Sequence, residues 1–144
     1  MSLLIRFFSE DIPFTLKNKT GRRKWLNSVI REETKKNRDI NFIFCSDEYL
    51  LGLNKTYLQH NTFTDILTFP YPDVENSLSG DIFISIERVR ENASMYHQDF
   101  EKELMRVMVH GLLHLIGYSD HELRDKGIMT ERENHYLEKY SQIK

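Results

Sequence analysis

One stretch constrains this chain more than any other: Val107-Met108-Val109-His110-Gly111-Leu112-Leu113-His114-Leu115-Ile116-Gly117-Tyr118-Ser119-Asp120-His121. On a helix, His110 and His114 lie one turn apart, so their imidazoles leave the same face and can converge on one ion. Gly117 follows where a residue of positive φ can end the helix and turn the chain back. That return brings Asp120 or His121 to the same ion as a third ligand. Two ligands from a helix and one from the turn after it leave a zinc ion an open position, as catalytic sites do. Two histidines alone on an apolar helix would be read as packing residues. The third donor and the glycine at the bend favour metal.

The spacing is similar to the metzincin string His-Glu-x-x-His-x-x-Gly-x-x-His, with one difference. Gly111 stands where a metalloprotease carries its general-base glutamate. Without that carboxylate the usual machinery for attacking a peptide bond is missing. A peptidase or esterase is therefore the second reading of the motif, behind a metal-dependent hydrolase of another kind.

A chain of 144 residues fits one domain, spanning 1–144, that buries a core without staples. The formal net charge of -2 excludes a wholly basic nucleic-acid binder, so any RNA contact needs a local patch. The concentrated basic run is Lys17-Asn18-Lys19-Thr20-Gly21-Arg22-Arg23-Lys24. Cations near a helix start are not favoured by its dipole, which makes Arg22, Arg23 and Lys24 RNA-binding candidates as well as a solvated helix start. Cys45 is the single cysteine, so no internal disulfide is available; a buried, inert thiol in a reducing compartment is expected. The segment from Met1 to Phe8 is too short for a signal-peptide core and is interrupted by Arg6, and no apolar run reaches membrane-spanning length. A soluble, cytoplasmic protein with no membrane association is the expectation.

Strands are expected at Leu3 to Phe8, Asp39 to Phe44, Asp65 to Phe69 and Gly80 to Ile86, from alternation and branched or aromatic content. Pro70 and Pro72 should stop the third strand and open a polar loop from Tyr71 to Ser79. Trp25, Leu26, Val29 and Ile30 mark a first helix, and Tyr49, Leu50, Leu53 and Tyr57 a second, with Ser46 or Asp47 as its cap. Further helices are expected at Glu87 to Tyr96, at Phe100 to Ile116 capped by Asp99, and at Leu123 to Tyr140 through Ile128, Tyr136, Leu137 and Tyr140. The fold class is α+β: a single domain with a mixed four-stranded sheet and about five helices packed on it.

These residues carry a resemblance. The chain resembles the YbeY family of zinc-dependent endoribonucleases, whose string His-Gly-x-Leu-His-Leu-x-Gly-Tyr-Asp-His is similar to His110 through His121. The family's Leu-Asn-x-x-Tyr-Arg and Thr-Asp-Val-Leu-Ser-Phe-Pro segments are similar to Leu53-Asn54-Lys55-Thr56-Tyr57-Leu58 and Thr64-Asp65-Ile66-Leu67-Thr68-Phe69-Pro70, and its Gly-Asp-Ile to Gly80-Asp81-Ile82. The resemblance implies one zinc ion beside the sheet of an α+β fold. It also implies hydrolysis of single-stranded RNA, in maturation of the 3′ end of small-subunit (16S) ribosomal RNA and in ribosome quality control. RNA and the ribosome would then be the partners.

Two departures qualify it. Ser119 is an extra residue, so Asp120 takes the family's six-residue spacing from His114 while His121 has the family's residue type. Asp120 is the expected third ligand and His121 its alternative, because the bend fixes spacing more firmly than ligand chemistry. Leu58 replaces an Arg thought to contact RNA; Leu cannot pair with phosphate. His60 and Asp65 are the catalytic candidates; Thr64 and Asp65 could line the cleft or simply cap a strand. Attack by a metal-activated water and attack by the substrate's 2′-hydroxyl both stay open. A non-catalytic ribosome-associated zinc module is the third reading, and it would require a site closed by both Asp120 and His121.

Overall fold

Ile40, Phe42 and Phe44 alternate along one strand and Ile82 and Ile84 along its neighbour, and all five side chains are buried on one face of a sheet. In the computed structural model, which describes residues 4–71 and 77–143, the order is β1 (Leu4–Ser9), α1 (Lys19–Glu33), β2 (Asn37–Cys45), α2 (Asp47–Leu58), β3 (Ile66–Pro70), β4 (Ser77–Ser85), α3 (Ile86–Met95), α4 (Phe100–Ile116) and α5 (Leu123–Ile143). The four strands lie in the order β1-β2-β4-β3, with β3 antiparallel to β4 and the other pairs parallel. This is the expected single-domain α+β fold. Among the described residues β3 pairs only with β4, at the edge of the sheet.

The large core cluster joins that face to α1, α3, α4 and α5, through Trp25, Leu26, Val89, Val107, Leu112, Met129 and Tyr136 among others. The opposite face carries α2, which seats Leu50 against Cys45 and Leu67, with Tyr49, Leu53, Phe69 and Phe83 around them. Cys45 is fully buried and burial pushes its thiol up to about 12, so it is inert as expected. The helix caps also follow the sequence: Ser46 accepts from the Tyr49 amide and Asp99 from the Lys102 amide.

Several boundaries and contacts differ from the expectations. β4 begins at Ser77, three residues before Gly80, because Ser77, Leu78 and Ser79 pair in register with Asn37, Arg38 and Asp39 of β2. Strand pairing there overrides a polar local sequence. Pro70 ends β3 from inside the strand, whereas Leu3 and Pro72 lie outside the described residues. In α5 it is Met129 that is buried, while Ile128 stays 42% exposed. Tyr57 does not join the buried face of α2; it is 66% exposed, with its ring edge-on to Phe69. Among the described residues no helix is long and apolar enough to cross a membrane.

Candidate metal centre

Helix α4 lies so close over β3 and β4 that its packing face has room only for hydrogen at position 111. A Cβ on Gly111 would meet Ile66 Cδ1 at 2.6 Å and Ile82 Cγ2 at 2.9 Å. The residue after the first histidine therefore faces the sheet, and a glutamate there would have to enter the core. His110 and His114 leave α4 on another side, with ring centroids 4.6 Å apart and planes at 79°. The helix ends at Gly117, whose φ of 130° is open to glycine and costly for other residues; its amide donates to the carbonyls of Leu113 and His114.

The turn after Gly117 carries Asp120 back over the two rings. Asp120 Oδ2 lies 3.4 Å from His110 Nε2 and 3.5 Å from His114 Nε2. Among the described residues, His110, His114 and Asp120 form a group of donors whose ligand atoms all lie within 4.8 Å of one another. His121 is exposed and not part of this group; its amide donates to Ser119 Oγ at 3.3 Å.

Both rings are fixed from behind. Glu133 Oε2 lies 2.5 Å from His110 Nδ1, and the Tyr118 carbonyl 3.0 Å from His114 Nδ1. A carboxylate and a carbonyl only accept, so each Nδ1 carries a proton and each Nε2 is the ring atom that faces Asp120. With each Nδ1 engaged from behind, Nε2 is the atom left to meet a metal, and the mixed nitrogen and oxygen set suits a divalent cation such as zinc. The residues present fit a metal ion.

A hollow of about 190 Å³ adjoins the site, lined by Asp65, Ile66, Arg106, Val107, His110 and Asp120. Asp65 sits just before the edge strand β3 and takes a 3.4 Å hydrogen bond from Asn92. Burial pushes its carboxyl above the usual carboxylate range, against the lowering pull of Arg106 and His110. Arg106 is held by Glu103 at 2.5 Å and by Glu133 at 3.4 Å, both carboxylates being buried. Thr64 hydrogen-bonds the Ile66 carbonyl at 3.4 Å, as a strand cap would. His60 is exposed in the loop after α2 and does not line the hollow; Leu58 is 42% exposed at the end of α2.

The sequence pattern missed Glu133, Glu103 and Arg106. A signal was present: Glu133 stands between Met129 and Tyr136 on the apolar face of α5, where a charge needs a partner. The basic run, in turn, is corrected by the structure. Arg22 is buried, its guanidinium bonded to Glu101 at 2.5 Å and to the Lys17 carbonyl at 2.6 Å, so it cannot belong to an open patch. Arg23 donates to the Ile5 carbonyl and lies over the Phe7 ring, which leaves Lys24 exposed. Arg22 also meets α4 at Glu101, roughly 13 Å along the helix from His110.

Residues 5–141 match the family described as Endoribonuclease YbeY. A relative named Endoribonuclease YbeY from Cytophaga hutchinsonii is 45% identical over 90% of this chain and 91% of its own length. Another so named, from Flavobacterium johnsoniae, is 46% identical over 88% and 91%. The solution structure of TM1509 from Thermotoga maritima superposes with a TM-score of 0.66 at 32% identity, covering 95% of this chain and 89% of that one. With a match running from β1 into α5 and identities of this size over most of each length, the chain belongs to the endoribonuclease YbeY family.

Proposed function

We propose that His110, His114 and Asp120 hold one zinc ion, and that this endoribonuclease uses it to cut single-stranded RNA in the cytoplasm. The substrate we assign is the 3′ end of small-subunit (16S) ribosomal RNA, with a role in ribosome quality control. The observation that carries the metal is the convergence of two Nε2 atoms and one carboxylate oxygen, each ring braced at its other nitrogen. His121 lies outside that group, which supports a catalytic site with an open position over a closed structural one.

When bound, the cation supplies Lewis acidity and positive charge for the phosphodiester. The chain's own groups do the rest. Asp65, in the hollow beside the site, is the proton acceptor we assign; His60, on the exposed loop, has less support. Arg106 lines the same hollow and adds a fixed cation beside the reacting phosphate, its direction set by Glu103 and Glu133. Of Arg22, Arg23 and Lys24, it is Lys24 and the free surface of Arg23 that remain available to the RNA backbone.

The test is product mapping on a defined single-stranded RNA, with metal-stripped protein beside protein reloaded with zinc. Cleavage that disappears on stripping and returns with zinc is expected, together with near-complete loss in Asp65→Asn. Equal cleavage by the stripped protein would overturn the metal's role.

A further inference from the structure

The loop from Gln59 to Asp65 joins α2 to the edge strand β3, and it presents one aromatic ring to solvent close to the metal centre. Phe63 is 50% exposed. The Arg88 guanidinium lies 5.1 Å from the centroid of its ring. Arg88 is not a loose surface cation: it is tied to Asp47 at 2.7 Å and to Glu91 at 3.6 Å, so the ring rests on an anchored group. The loop is anchored as well. Asn54, buried on α2, donates from its side chain to the Thr62 carbonyl at 2.9 Å and accepts the His60 amide on its own carbonyl at 3.2 Å.

An apolar ring left half in water, backed by a fixed cation and carried by a tethered loop, is a prepared stacking surface. Thr64 alone separates Phe63 from Asp65, so their Cα atoms lie within about 7 Å, and Asp65 lines the hollow shared with His110 and Asp120. We propose that Phe63, backed by Arg88, is a nucleobase-stacking subsite that seats a base next to the scissile phosphate. The inference rests on the RNA-hydrolase reading above and deepens it. Single-stranded RNA is held by such aromatic faces because every base has a π-face, whereas the phosphates are held by charge. Leu58, the last residue of α2, cannot pair with phosphate, and the loop that follows it brings the exposed Phe63 ring instead.

The experiment uses zinc-loaded protein, a defined single-stranded RNA, and a series of the same RNA with one abasic nucleotide stepped across the cleavage point. In wild type, loss of one particular base should raise KM on the order of 5- to 150-fold, the worth of one base stack. Phe63→Ala should show the same rise on intact RNA and no further rise on that abasic RNA. Phe63→Trp should keep the wild-type KM, and the salt dependence of binding should match wild type in both variants, because stacking releases no counterions. If wild type cleaves but Phe63→Ala keeps its KM, or adds its full effect on every abasic RNA, the subsite is overturned and the hydrolase reading stands. If zinc-loaded wild type cleaves none of the RNAs, the hydrolase reading fails and takes the subsite with it. Should Phe63→Ala lose its fold by circular dichroism, the Trp variant and the wild-type abasic series decide: no sensitive position, or a weakened Trp variant, overturns the proposal.

Discussion

At Asp120 a single carboxylate oxygen serves both imidazoles, while the neighbouring His121 is exposed to solvent. Adjacent residues in an extended turn point to opposite sides, so bringing His121 in would take Asp120 out. Asp120→Ala is therefore expected to lower zinc affinity by orders of magnitude, and His121→Ala to leave most of it, when each is titrated against a chromophoric chelator. The opposite ranking would make His121 the ligand. Behind the ligands, Glu133 fixes the His110 ring and shares Arg106 with Glu103. Glu133→Ala removes an acceptor from the partly buried His110 ring and a counter-charge from Arg106. Zinc affinity should fall roughly 10- to 100-fold, as such supporting groups typically cost. Glu133→Gln, which keeps an oxygen for the ring, should lose less; equal losses would show that charge and not orientation is what Glu133 contributes.

Helix α4 shows what one element can be made to do. Its apolar side reaches the sheet through Gly111, its other side presents two histidines, and Gly117 turns the chain at its end. Gly111→Ala forces a Cβ to 2.6 Å from Ile66 Cδ1, the far end of a side chain that can give, but also to 2.9 Å from Ile82 Cγ2, a branch close to the strand. A loss of about 1–3 kcal/mol is expected from such overpacking, read as a lower midpoint in urea with zinc stoichiometry kept. Unchanged stability would mean that α4 can lift off the sheet without cost. This element was legible from sequence, because cap, period, ligand spacing and terminal glycine all agree over residues 99–117. Elsewhere one level of organisation masked another. The start of β4 at Ser77 is dictated by its partner β2, not by its own serines. In α5, Tyr136, Leu137 and Tyr140 pack on the core as expected, but the first turn of that face is Met129 and not Ile128, and Glu133, a charge in a core position, hides the register between Met129 and Tyr136. Arg22 reads as a surface cation until α4 is packed against it and Glu101 supplies its partner. In each case the missing information is a contact between elements distant in sequence.

Across the whole molecule, the first and last helices are clamped together through the end of α1. Trp25 Nε1 donates to the Tyr136 carbonyl at 2.7 Å, inside the core. Glu32 takes Lys139 at 2.7 Å and His135 at 2.8 Å, and Glu33 takes Arg132 at 3.1 Å, Tyr118 at 2.7 Å and the Tyr136 hydroxyl. Tyr118 also offers its carbonyl to His114, so the clamp and the metal centre share a residue. The Lys139 hydrogen bond, opposed by burial and joined by His135, lowers the Glu32 carboxyl from 4.5 to about 2. For Glu33, burial raises the carboxyl, but the hydrogen bonds from Tyr136, Tyr118 and Arg132 outweigh it and the net direction is down. A carboxyl whose pKa is lower in the folded chain than in the unfolded one stabilises the fold above the unfolded value. That contribution is lost as pH falls through the folded value. For Glu32 the window runs from 4.5 down to about 2. Glu32 is partly open to solvent, so its own share is small, and the larger share falls to the less exposed Glu33. The expected outcome is a melting temperature that declines through this acid window in wild type. In Glu32→Gln combined with Glu33→Gln, melting should start lower at neutral pH and decline less steeply, so that the two curves approach each other near the acid end. Parallel curves for wild type and the double variant would place acid sensitivity in other carboxylates and leave the clamp as a packing contact alone.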